Sequence, residues 1–105
     1  MDDIIGSPYA IVDFTCNPEL GTDEDIIELR AKLNAMGLKL MLDFVPNHSA
    51  VDSAYTETHP EYYIRAPKGS SAPYDSSKYL PNGISYGGDL YDGFWKDTAQ
   101  WNYFN

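Results

Sequence analysis

The sequence predicts an α/β chain, and three observations carry that prediction. A segment with helix signals at both ends, residues 22–37, leads through a glycine into a short and continuously apolar stretch, residues 39–45. Helix, glycine and buried strand in succession are the repeat unit of an α/β barrel or layered parallel sheet. Beyond Asn47 the texture changes: aliphatic residues nearly vanish, while eight of the nine tyrosines and both tryptophans fall there among Gly, Pro, Ser and Asp.

Taken in order, Pro8 to Phe14 (PYAIVDF) is short and rich in β-formers, and the following NPELGT supplies turn residues, so this piece reads as an extended segment leaving a strand. Thr22 fits a helix N-cap, with Asp23, Glu24 and Asp25 in the positive first turn and Asp25 at the capping-box position. Ile26, Ile27, Leu29, Leu33 and Met36 follow at helical spacing, and Gly37 is the expected stop. Lys39 to Val45 is too short and too evenly apolar for a half-exposed strand, which predicts a parallel strand buried on both faces. The remainder predicts a long, loop-rich excursion with short strands near Gly83 to Tyr86, held by aromatic packing. One helix, one strand and an excursion cannot cover two faces of a parallel strand, so the chain is expected to be part of a larger domain.

Composition narrows the partners. Seven Lys plus Arg against sixteen Asp plus Glu give a net charge of -9, which repels phosphate backbones and argues against nucleic acid. Cys16 is the single cysteine, so neither an internal disulfide nor a multi-cysteine zinc site is expected. MDDIIGSPYA carries acids where a signal peptide needs positive charge, and no apolar run approaches the roughly eighteen residues of a membrane span. The sequence as written is expected to be soluble, with its compartment left open.

Chemistry concentrates in LKLMLDFVPNHSA. Strand alternation puts Asp43 near the carboxyl end of the predicted strand, where parallel α/β folds bind ligands. A carboxylate buried there needs a cation or several donors, and Arg65, the only arginine outside the helix, has no evident place beside it. Asn47 and His48 follow a proline that stops the strand; an Asn offers a neutral oxygen suited to calcium, and a His can donate to a substrate hydroxyl. Each also has a plain structural reading, Asp43 as a strand-end acid and the Asn-His pair as turn residues.

GSPYAIVDF followed by NPELGTDEDIIELRAKLNAMGLKLMLDFVPNH resembles the alpha-amylase superfamily, glycoside hydrolase family 13, from the second barrel helix through the third barrel strand. The resemblance implies a fragment of a (β/α)8 TIM barrel over residues 1–47 and a loop-rich excursion like that family's domain B over residues 48–105, with WKDTAQWNYFN similar to the approach to strand four. It implies that Asp43 orders the active site by pairing with an arginine of the next strand. His48 would bond a sugar hydroxyl where cleavage occurs, and Tyr9 would be the aromatic platform under the same sugar. Asn47 and, with it, Asp97 would bind a structural calcium ion, and Asp13 would be structural. Tyr9 as a core aromatic, His59 as a surface loop residue and Asp89, Asp92 and Asp97 as turn residues stand beside these roles.

Retaining glycoside hydrolysis needs a carboxylate nucleophile and a carboxylic acid about 5 Å apart. The resemblance implies that these lie on strands four and five, so no catalytic residue is expected within this chain, which is expected to be inactive alone. The activity implied for the complete protein is hydrolysis or transfer at α-glucosidic bonds of starch, maltooligosaccharides or related glucans. An amylase-like domain that has lost catalysis and serves as an interaction module is the alternative. A stand-alone calcium- or carbohydrate-binding module is a third reading.

Overall fold

The computed structural model describes residues 7–104, which divide into two compact units, residues 14–44 in one and residues 7–13 with 45–104 in the other. In the smaller unit, helix α1 spans Asp23–Ala35. Both of its ends are written locally. Thr22 Oγ1 accepts from the Asp25 N–H at 3.2 Å while an Asp25 carboxylate oxygen accepts from the Thr22 N–H at 2.8 Å, closing a capping box. Lys32 in the last turn pairs with Glu28 at 3.0 Å. Gly37 at φ 77° then lets the Leu38 N–H reach Leu33 O at 2.9 Å and its own N–H reach Asn34 O at 3.1 Å, a Schellman stop.

The predicted strand over Lys39 to Val45 is not present as a strand. These residues form no ladder; Met41 is 93% exposed and Phe44 68% exposed, and Asp43 is exposed as well. The physical reason is the lack of a partner: an extended segment becomes a strand only when neighbours take its N–H and C=O groups. Phe44 instead stands near Phe14, ring centroids 5.8 Å apart. Burial of the Asp43 carboxylate, expected from the strand, is corrected with it. The apolar positions of α1 read correctly as a helical stripe, yet none is buried.

The larger unit is built on a three-stranded antiparallel sheet of order β1-β3-β2, with β1 at His48–Ala50, β2 at Tyr86–Asp89 and β3 at Gly93–Gln100. Strands β2 and β3 form a hairpin whose turn is held by Asp89 Oδ1, which accepts from the Tyr91 and Asp92 N–H groups at 2.8 and 2.6 Å. Strand β1 joins the far end of β3, with His48 opposite Gln100, Ser49 opposite Ala99 and Ala50 opposite Thr98. Between them lie a short helix α2 at Tyr55–Thr58 and a 3-10 turn at Pro60–Tyr62, and isolated bridges Tyr63–Trp101, Arg65–Ile84 and Tyr79–Ser85 lace the irregular chain to the sheet.

The core of this unit is aromatic, as its composition predicts. Tyr63, Ile84 and Ala99 are buried, with Tyr55, Leu80 and Trp101 packed against them. Tyr63 stacks on Trp101 with centroids 4.4 Å apart. Ser49 Oγ–H is donated to Ala50 O at 2.9 Å, so Ser49 accepts from the Tyr63 phenol at 2.8 Å. The Pro8 to Phe14 stretch begins as a turn rather than a strand exit, with the Ala10 N–H on Ser7 O at 2.9 Å. Its carbonyls then receive the larger unit's donors: Ile11 O accepts from the Ala50 N–H and Val12 O from the Ser53 hydroxyl, both at 2.7 Å. Among the described residues no helix is long and apolar enough to cross a membrane.

Truncating Ile84, which is fully buried, is expected to destabilise the larger unit by about 2–5 kcal/mol, read as a lowered urea midpoint for Ile84→Ala. Tyr63 supplies a pH test. Burial pushes its phenol above the ordinary tyrosine value, and the Ser49 hydrogen bond opposes this less strongly. A group raised on folding stabilises fully below its unfolded value, about 10, and loses that contribution as pH rises through the folded value. Denaturant midpoints are therefore expected to fall above pH ~10 in the native sequence and to fall less steeply in Tyr63→Phe.

Candidate functional site

The start of β1 gathers three of the residues singled out in the sequence. Pro46 and Asn47 lead into His48, whose side chain is only 7% exposed. Its Nε2 lies 3.1 Å from the backbone carbonyl of Tyr9, and its Nδ1 lies 3.1 Å from the side-chain nitrogen of Asn47. A carbonyl only accepts and an amide NH2 only donates, so both contacts assign the same neutral tautomer: the proton is on Nε2 and Nδ1 accepts. Trp95 presents its ring edge-on to the imidazole at 5.6 Å. A Cβ on Gly87 would stand 3.3 Å from His48 Cβ and 2.5 Å from Thr98 Oγ1, so β2 can pass this close only as bare backbone.

Tyr9 reaches this place through a tight turn in which its N–H bonds Ser7 Oγ at 3.1 Å. Its backbone carbonyl faces the imidazole while the residue is 55% exposed, so an open tyrosine and a buried imidazole are tied by one backbone bond. Such a pairing suits a polyol: a ring face covers apolar C–H groups, and an imidazole N–H answers a hydroxyl. The Nε2–H bond to Tyr9 O is the one that a hydroxyl would share or replace.

Asn47 is held from the other side by Gln100. Its Nδ2 donates to Gln100 Oε1 at 3.2 Å, and Gln100 Nε2 donates to Asn47 O at 2.8 Å and to Asn47 Oδ1 at 3.2 Å. Asp97 does not take part. The ladder runs from Asn47 opposite Trp101 to Val51 opposite Asp97, so the two residues sit four rungs apart, roughly 13 Å along the strands. Calcium holds its oxygens at about 2.3–2.6 Å, and Asn47 with Asp97 does not fit a shared ion. The Asp97 carboxylate instead accepts from the Ser7 N–H at 2.8 Å. Among the described residues there is no group of three or more His, Cys, Asp and Glu placed to hold a metal.

Asp43 belongs to the smaller unit and stands exposed. Asp89 is a turn residue, as its plain reading has it. His59 is a surface histidine: it stacks on Tyr62 at 4.6 Å and bonds Glu61 at 3.0 Å, which holds the Glu61 carboxyl below its usual value. Sequence reasoning missed Gln100, Trp95 and Gly87. All three meet the Asn47–His48 pair only through the pairing of β3 with the distant β1, and the one local signal was the Phe, Trp and Thr residues of FWKDTAQW.

Comparison with known proteins identifies the family. The family model described as alpha amylase, catalytic domain, matches residues 2–104. A salivary alpha-glucosidase of Anopheles gambiae is 45% identical over 64 residues, covering 53% of this chain and 11% of that protein. Maltase A1 of Drosophila melanogaster is 46% identical over 48 residues, covering 45% of this chain and 8% of that protein. A human amino acid transporter heavy chain is 36% identical over 64 residues, covering 53% of this chain and 9% of that protein. The chain thus spans about a tenth of the length of these relatives. With a catalytic-domain model matched along nearly its whole length, the chain belongs to the alpha-amylase superfamily, glycoside hydrolase family 13.

Proposed function

We propose that this chain supplies the sugar-holding side of an active site that hydrolyses or transfers α-glucosidic bonds with retention, in a protein whose bond-breaking carboxylates lie elsewhere. The observation that carries the reading is the bond between a buried His48 and the backbone carbonyl of Tyr9, a residue left 55% exposed. The substrate class is an α-glucan, a maltooligosaccharide or a related α-glucoside, as the names alpha-glucosidase and maltase among the relatives suggest. Residues 48–105 act in this reading as a domain B-like excursion that frames the site, and residues 1–47 as a piece of barrel.

In this reading Tyr9 stacks on the apolar face of the reacting glucose and His48 donates from Nε2 to one of its hydroxyls. Asp43, exposed at the end of its segment, awaits a cationic partner such as an arginine. Neither Asp43 nor Asp97 is assigned as nucleophile or acid. Retention needs two carboxyl groups about 5 Å apart, and Asp97 is already bound to the Ser7 N–H. Calcium has no step in the proposal, because Asn47 and Asp97 do not form a shared site.

The similarity to a transporter heavy chain favours a second reading, an amylase-like module that binds a protein partner without catalysis. The two separate on one titration. The purified 105-residue chain is expected to release no sugar from starch, maltose or an aryl α-glucoside, and turnover above the buffer rate would overturn that. Maltose is expected to shift the NMR signals of Tyr9 and His48, and His48→Ala or Tyr9→Ala to weaken that binding about tenfold, roughly 1.4 kcal/mol. Saturating maltose without any shift at either residue would favour the interaction module.

A further inference from the structure

Gln100 does more than occupy the rung opposite His48. Its amide oxygen and nitrogen take both ends of the Asn47 side chain at 3.2 Å each, and the same Nε2 reaches Asn47 O at 2.8 Å. An amide held at its nitrogen and its oxygen cannot turn over without setting donor against donor and acceptor against acceptor. Held this way, Asn47 presents its Nδ2 to His48 Nδ1 at 3.1 Å.

We propose that Gln100 is a positioning residue that locks the Asn47 amide and, through it, keeps the His48 proton on Nε2. Gln100 and Asn47 exchange hydrogen bonds, and from Asn47 onward donation runs one way, to His48 Nδ1 and then from Nε2 to the Tyr9 carbonyl. If Asn47 turned over, its Oδ1 would face Nδ1 and draw the proton there. Nε2 would become an acceptor facing the Tyr9 carbonyl oxygen, two lone pairs opposed at 3.1 Å in a buried place. The lock therefore decides whether the nitrogen turned toward Tyr9 donates or accepts. Its consequence for a sugar hydroxyl rests on the function proposed above, whereas the lock itself is a statement about hydrogen bonds.

The experiment is 15N NMR of the imidazole nitrogens in the full chain, labelled at histidine and without sugar. His59, the other histidine, serves as the exposed reference. The native sequence is expected to show one His48 tautomer with the proton on Nε2. Gln100→Leu removes all three contacts to Asn47 and is expected to give a mixture of tautomers, with His59 unchanged. Gln100→Glu offers two equivalent acceptors and no donor to Asn47 O or Oδ1, so it is likewise expected to give a mixture. Asn47→Asp places a carboxylate against Nδ1 and is expected to put a proton there.

A proton on Nδ1 alone in the native sequence overturns the proposal, as does a single Nε2–H tautomer retained in Gln100→Leu. Should Gln100→Leu lose its dispersed amide spectrum, Asn47→Asp decides, and a proton remaining solely on Nε2 in that variant overturns the lock. Because maltose takes no part, this result stands apart from the sugar titration. A confirmed lock with no response to maltose would remove the sugar site and leave the positioning intact.

Discussion

The larger unit depends on the pairing of β1 with the end of β3, about fifty residues later in the chain. Closing a loop of that length costs chain entropy that grows with the logarithm of its size. The return comes at two adjacent rungs. Ser49 receives the Tyr63 phenol and so ties the ladder to the aromatic core, Ala99 is itself part of that core, and His48 is set opposite Gln100. A shift of register by one residue would turn every one of these side chains to the opposite face. The candidate site therefore has no existence apart from this closure.

Residues of the same chemical type separate cleanly by what surrounds them. Asp25 closes a capping box, Asp89 holds a hairpin turn and Asp97 receives the Ser7 N–H. Each acid answers a backbone donor, which is the ordinary work of a carboxylate near a turn or a helix start. His48 differs because its two nitrogens are engaged in opposite senses within a nearly closed space. That distinction, more than proximity to an acid, sets the start of β1 apart from the other polar positions.

Legibility from sequence followed the range of each interaction. Helix α1 was readable at both ends because Thr22 meets Asp25 and Leu38 meets Leu33 within a single turn. The aromatic core was readable as composition, since tyrosines and tryptophans make up most of the large apolar groups beyond Asn47. Lys39 to Val45 misled because apolar continuity reports what a segment would bury, while a ladder requires another strand to be there. Gln100 stayed hidden because an amide in a β-rich run carries no local sign of its partner. Resemblance singled out Tyr9, Asn47 and His48, which the structure brings together. The register of β1 on β3, which sets Asn47 and Asp97 four rungs apart, had no sign in the sequence.

The wall of the His48 enclosure on the β2 side is main chain. Gly87 has no side chain to exchange, and even a methyl group there would strike Thr98 Oγ1 at 2.5 Å. Dimensions on that side are thus closed to adjustment by point substitution. The adjustable contacts around His48 are the Trp95 ring edge, the Asn47 amide and the Tyr9 turn. Sequence change around this imidazole would, on this geometry, be written in those three places, with the glycine left as a fixed boundary.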